Sequence, residues 1–298
     1  VCYAETDGAA TDSTWRDSYI RLQISKIEKL SAHSVTHTTT GQIASVTTLQ
    51  LTYSGSLANN MWLSMVDSTL NSAFPCADAT VAAATASTQH SAPLLARDLE
   101  SFVTVDTTGM STSKIFALCY TEALGTTSAT WSDAGLRLTV SKITSLQYGS
   151  PTRTMTSTNT AAAVNRLPQV ANMVLTYVGD LAASKWISLV SSSLNGNDPC
   201  VSSAIAAGMA DDAHSGSLQA TSFNEVTIPQ SPLLSASYTF AVCYSETSGT
   251  ASDSTWADSY LRLDISMLQT LKWNEKSIDT TASFPDLAAS TVTYSGSL

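Results

Sequence analysis

The chain is short of charge, and shortest of positive charge: 13% of its 298 residues are charged, with 14 basic against 24 acidic side chains and a formal net charge of -10. That balance leaves no basic surface to grip a phosphate backbone, so no nucleic-acid partner is expected. No apolar run approaches the roughly 18 residues that a membrane-crossing helix needs, so no membrane span is expected. The signatures of common catalysts are missing as well: there is no HExxH, CxxC, GxSxG, P-loop or dinucleotide fingerprint. Four histidines, His33, His37, His90 and His214, stand in polar stretches and read as solvated surface residues that do not recur in register. No catalytic, cofactor-binding or metal site is therefore expected, and the chain does not read as an enzyme. An N-x-Ser/Thr acceptor is absent too, which restricts any glycan to O-linkage or another type.

What is abundant is Ser and Thr, about 29% of the chain, a composition suited to β-structure and an extracellular surface. The chain also repeats itself. DSTWRDSYIRLQIS at 12–25 returns as SATWSDAGLRLTVS at 128–141 and DSTWADSYLRLDIS at 253–266. Cys2, Cys119 and Cys243 fall in register before the three copies, each followed by Tyr and then by Glu5, Glu122 or Glu246. LTYSGSLA, LTYVGDLA and TYSGSL form a second recurring phrase, and Pro75-Cys76 and Pro199-Cys200 a third. Cys76 to Cys119 spans 43 residues, as does Cys200 to Cys243. Equal spacing in a cysteine-poor chain predicts the disulfides Cys76–Cys119 and Cys200–Cys243, each worth ~3–4 kcal/mol in the chain-entropy model. Cys2 is left unpaired, or intermolecular.

Length varies between the Trp phrase and the TYSGSL phrase, where the middle copy is about eight residues longer. Insertions settle on the surface, so the packed unit runs from just after one Trp phrase to the end of the next. The expected division is 1–25, closing strands of an incomplete domain; 26–141 and 142–266, two domains; and 267–298, opening strands of another incomplete domain. Residues 1–57 align with 242–298 without a gap, as in a two-domain super-repeat. Val1 followed by CYAET reads as the middle of a domain, so the chain is expected to be a window on something longer.

Within the phrase, Ile20, Leu22 and Ile24 alternate with polar residues, the period of a strand with one buried face. KIFALCY and YTFAVCY are apolar on both parities, as in a central strand covered on both faces or lying against a neighbouring domain. MWLSMVDSTL and KWISLVSSSL read as strands, and only the Ala-rich stretches 77–86 and 201–210 suggest a helical turn. Several short strands per ~120 residues imply an all-β fold of sandwich type. A Cys on an earlier strand, a Cys on a late strand of F-A-V-C-Y type and a nearby Trp resemble the immunoglobulin-like sandwich. Trp15, Trp131 and Trp256 follow the second Cys, and Trp62 and Trp186 precede the first, so the antibody pattern itself is not matched. The resemblance implies tandem immunoglobulin-like β-sandwich domains in a repeat array.

Asp17, Asp133 and Asp258 stand four residues before Arg21, Arg137 and Arg262, on one face of an extended segment. They are expected to form structural ion pairs. The competing reading, a calcium site from Glu5, Asp7, Asp12 and Asp17, is weakened because the middle copy lacks counterparts of Asp7 and Asp12. The tracts THTTT and SPTRTMTSTNT resemble O-glycosylated linkers, with Thr38, Thr39, Thr40, Thr154, Thr156, Ser157, Thr158 and Thr160 as candidates. Tyr148, Trp273 and Phe284 lack counterparts in all copies and are candidates for unit-specific contacts. The expected function is a structural segment of an extracellular filament or surface appendage, its partners copies of itself or further repeats, joined by chain continuity or strand exchange. The alternative is a cell-surface adhesin or carbohydrate-binding protein, with glycans as partners.

Overall fold

A computed structural model describes residues 1–97, 101–157, 165–273, 275–278, 283 and 289–296. Among them the protein is mostly β, with several sheets that form sandwich-like units. At the start, β1 (Cys2–Tyr3) pairs with β2 (Arg16–Asp17). Strands β3 (Ile27–Ala32), β4 (Val35–His37), β5 (Thr40–Ile43), β6 (Leu49–Gly55), β7 (Trp62–Asp67), β8 (Leu94–Leu95), β9 (Phe102–Val105), β10 (Phe116–Thr121) and β11 (Ser132–Val140) follow. They make two sheets, ordered β4-β3-β6-β9 and β5-β11-β10-β7-β8. The next unit repeats this plan. Its strands are β12 (Ile143–Tyr148), β13 (Arg153–Thr156), β14 (Asn165–Leu167), β15 (Met173–Gly179), β16 (Trp186–Ser191), β17 (Leu218–Gln219), β18 (Glu225–Ile228), β19 (Thr239–Ser245) and β20 (Ala257–Ile265). They are ordered β13-β12-β15-β18 and β14-β20-β19-β16-β17. Finally, β21 (Leu268–Trp273), β22 (Lys276–Ile278) and β23 (Thr293–Gly296) form a three-stranded sheet, the counterpart of β3, β4 and β6.

Alternation decides which way each strand faces. Leu63 and Met65 of β7, Phe116, Leu118 and Tyr120 of β10, and Leu136, Leu138 and Val140 of β11 turn inward. There they meet Leu30, Leu51, Tyr53, Val103 and Val105 of the other sheet. The residues between them are buried too, on the outer side: Val66, Ala117 and Cys119 lie under the segment that carries Cys76 and the short helix Ala79–Ala82, with Trp131 packed against it. Val190, Ala241, Cys243, Cys200 and Trp256 repeat this outer layer beside the helix Ser203–Ala206. The cover that explains the doubly apolar KIFALCY and YTFAVCY is thus local to each unit. Both expected disulfides are formed, Cys76–Cys119 and Cys200–Cys243, and each ties this lid to the central strand.

TYSG and TYVG recur for a steric reason. Gly55 and Gly179 have φ of 136°, and a Cβ there would stand 2.3 Å from the Lys26 carbonyl oxygen and 2.2 Å from that of Lys142. Only glycine lets the strand end cross its neighbour's backbone so closely.

One expectation fails in its first copy. Ile20, Leu22 and Ile24 are exposed and lie outside any strand, and regular pairing stops at Asp17. In the other two copies the strand is held between the central strand and a parallel edge strand, β5 against β11 and β14 against β20. Among the described residues, the first copy has only the two-residue β1 beside it. Without two neighbours and a facing sheet, the alternating pattern has nothing to bury against.

Candidate functional site

The phrase itself builds the site. Opposite it, β10 and β19 shift register between Ala117 and Cys119 and between Ala241 and Cys243, so β11 and β20 bulge. The aspartate governs the bulge. Asp258 Oδ1 accepts a hydrogen bond from the Tyr260 amide at 2.7 Å and from an Arg262 guanidinium nitrogen at 2.9 Å, and Oδ2 accepts the other guanidinium nitrogen at 2.7 Å. Asp133 does the same for the Gly135 amide and Arg137, and Asp17 for the Tyr19 amide and Arg21. The three expected ion pairs are present, and each also caps a left-handed residue: φ is 61° at Tyr19, 79° at Gly135 and 61° at Tyr260. For a tyrosine that conformation costs on the order of 1–2 kcal/mol, which something must offset.

For Tyr260 the offset lies in the neighbouring unit. Its ring is 2% exposed and belongs to the hydrophobic core of residues 27–140. The hydroxyl donates to the backbone oxygen of Gln42 and lies 3.4 Å from His37 Nε2, and the His33 ring sits 5.0 Å away, centroid to centroid, tilted by 43°. Beside it the Gln42 side-chain amide donates to the Tyr244 hydroxyl at 2.5 Å, and the Thr112 hydroxyl donates to Asp180 at 2.9 Å. Burial pushes the Tyr260 phenol well above its usual range, with Asp258 and Asp198 adding to the effect and Arg262 opposing it. Burial likewise lowers the His37 pKa, against the backbone bond of Gln42 and the charge of Asp258. Both rings are neutral at pH 7, so the contact is made of apolar area and neutral hydrogen bonds.

Next to this contact lies a cleft of about 610 Å³ between the two units, lined among others by Arg137, Asp198, Trp256 and Asp258. Burial raises the Asp198 carboxyl to about 6, with the nearby Asp258 charge adding and Arg262 opposing.

The histidines differ from expectation. His33 and His37 are buried, because the second unit covers the turn that carries them. His90 and His214 do recur in register: each follows the first cysteine of its pair by 14 residues, and each bridges the matching strand residue, Val66 or Val190. Both are half-buried. His90 Nδ1 is 3.0 Å from the Ser87 hydroxyl, and His214 Nδ1 is 2.8 Å from Asp211 Oδ1.

The recurring glutamates and tryptophans also have defined partners. Glu122 and Glu246 bind Lys26 and Lys142 at 2.6 Å, while the amides of those lysines donate to the hydroxyls of Tyr120 and Tyr244. Cys-Tyr-x-Glu is thus a clasp that fastens the entry of a unit to its penultimate strand. The SK dipeptide at 25–26 and 141–142 was the signal for it. Trp131 and Trp256 donate their indole N–H to Thr126 and Thr250 carbonyls while covering the disulfides, and Trp15 makes the matching bond to Ala9 but stays exposed.

The residues of the calcium alternative organise a loop. Asp12 accepts from the amides of Asp7, Gly8 and Thr14 and from the Thr14 hydroxyl, and Asp253 holds the same place in the third copy. Cys2 is exposed, with no disulfide. Of the glycosylation candidates, Thr38, Thr39, Thr40, Thr154 and Thr156 are exposed and Ser157 is half-buried, while Thr158 and Thr160 lie outside the described residues. Tyr148 packs within its own unit and donates to the Arg166 carbonyl at 2.9 Å; Trp273 is half-buried on β21, and Phe284 lies outside the described residues.

Two disulfides point to an oxidising compartment, and among the described residues no helix is long and apolar enough to cross a membrane. Compared with known protein families and with curated proteins, the chain matches none.

Proposed function

We propose that this chain is a structural segment of an extracellular filament or surface appendage, built from tandem immunoglobulin-like sandwiches divided at 26–141 and 142–266. The observation that carries the reading is the use made of the repeated phrase. In each sandwich it closes the fold, and in the second it also anchors the unit to its neighbour through Tyr260. A phrase that serves packing within and between units recurs as often as the units do. Its chemistry is spent on braces and caps, as the bonding of Asp258 illustrates.

Units are joined by continuity of the chain or by strand exchange between copies; residues 267–298 correspond to 26–57, and residues 1–25 to 242–266. The alternative reading, a surface adhesin or carbohydrate-binding protein, has the cleft beside Trp256 and Asp198 as its site. Multi-angle light scattering of the native material, together with a glycan array, separates the two. Extended assemblies and a blank array support the structural reading, whereas a compact monomer that retains a defined glycan contradicts it.

A further inference from the structure

Tyr19, Gly135 and Tyr260 occupy one position in three copies of one phrase, and in all three the amide is held by the aspartate two residues earlier. With positive φ, the position itself asks for glycine, and the middle copy has it. Space does not force that choice, since a Cβ on Gly135 would meet nothing within 4 Å. A tyrosine in the same conformation is strained in its own unit, so its value lies outside that unit. Tyr260 is buried in the preceding sandwich, whereas Tyr19, with the same positive φ and the same Asp–Arg brace, is 84% exposed.

We propose that the surface formed by His33, His37 and Gln42 is a docking seat for a bulge tyrosine, and that tyrosine or glycine at the bulge decides whether adjacent units lock or stay free. The partner of the seat is a following unit of the 142–266 kind. Tyr19 is a second peg, and its partner is the same seat on another unit of the 26–141 kind. The seat suits a neutral phenol: a backbone carbonyl takes the hydroxyl proton, an imidazole ring lies against the aromatic ring, and an apolar core surrounds it. An array that follows the super-repeat, with tyrosine and glycine alternating, has rigid pairs separated by looser joints. The inference concerns the pairing of two units and stands whether or not the array forms a filament.

Two measurements on the intact chain test it. On dilute isolated chains, where Tyr19 has no second seat within reach, tyrosine nitration with tetranitromethane, mapped by peptide, is expected to modify Tyr19 at least tenfold faster than Tyr260. Residual dipolar couplings of the two units are expected to fit one alignment tensor in the native protein and in Tyr260→Phe, which keeps the ring. They are expected to fit two independent tensors in Tyr260→Gly, with the amide spectrum of each unit otherwise retained. Equal nitration rates, or a single tensor in Tyr260→Gly, would overturn the proposal. If Tyr260→Gly does not fold, the nitration ratio decides alone.

Discussion

The same Asp–Arg pair occurs three times at three depths, which makes its energetic value measurable inside one molecule. The side chains of Arg262 and Asp258 are each 4% exposed, those of Arg137 and Asp133 31% and 34%, and those of Arg21 and Asp17 68% and 39%. Geometry is nearly constant, at 2.7, 2.8 and 2.6 Å, so solvent is the main variable. Replacing Arg262 by Met strands a buried carboxylate that keeps only the Tyr260 amide as a donor, and also removes the cation 5.7 Å from the Tyr260 ring. Breaking a buried pair in this way costs about 3–5 kcal/mol. At about 1.4 kcal/mol per decade, even the lower figure is roughly a hundredfold in the folding constant. The same change at Arg137, half in water, is expected to cost about 1–2 kcal/mol, and at Arg21 less than about 1 kcal/mol. Urea unfolding followed by tryptophan fluorescence measures all three, and adding Asp258→Leu to Arg262→Met should recover part of the loss by removing the stranded charge. Equal losses at the three sites, or no recovery in the double variant, would refute the argument that burial sets the strength of this brace.

Other consequences can be measured on the same material. Cys76→Ser or Cys200→Ser should each destabilise its own unit by about 4 kcal/mol, because the bridge closes a 43-residue loop; reductant should add little further loss in that unit. Gly179→Ala should cost more than the ~1 kcal/mol that an unstrained exchange would gain, since its methyl would lie 2.2 Å from the Lys142 carbonyl oxygen; thermal unfolding reads the shift. Asp198 titrates near 6 in the folded protein against an ordinary 3.8, so the fold holds a proton that the unfolded chain releases between these values. Its contribution to stability is therefore full below pH 4 and lost as pH rises through 6. Asp198→Asn should gain about 1 kcal/mol above pH 6, after allowance for its partial exposure, and nothing below pH 4. A gain at acidic pH instead would reverse the assigned sign.

Much of the fold was legible because the repeat supplied its own alignment. Equal cysteine spacing predicted both bridges, period-2 alternation predicted β11 and β20, and the Asp-to-Arg interval predicted the pairs. What escaped was interaction between repeats. Tyr260 reads as one more residue of a strand phrase; Gly135 at the matching position is the one sign of positive φ, and nothing in the sequence says which core receives the ring. His33 and His37 stand among Ser and Thr, and only the neighbouring unit turns that polar stretch into buried surface. The first phrase shows the same limit from the other side: Ile20, Leu22 and Ile24 carry the pattern of a buried strand, yet are exposed because pairing and a facing sheet are properties of the unit. The correspondence of His90 and His214 is hidden in the sequence because their flanking residues differ while their distance from the cysteine is kept.

The most direct test of a structural array is electron microscopy of the native material, with averaging along any fibre found. An extended assembly is expected, in which sandwich-sized units recur along the axis and group in pairs. Discrete compact particles with no axial repeat would contradict it.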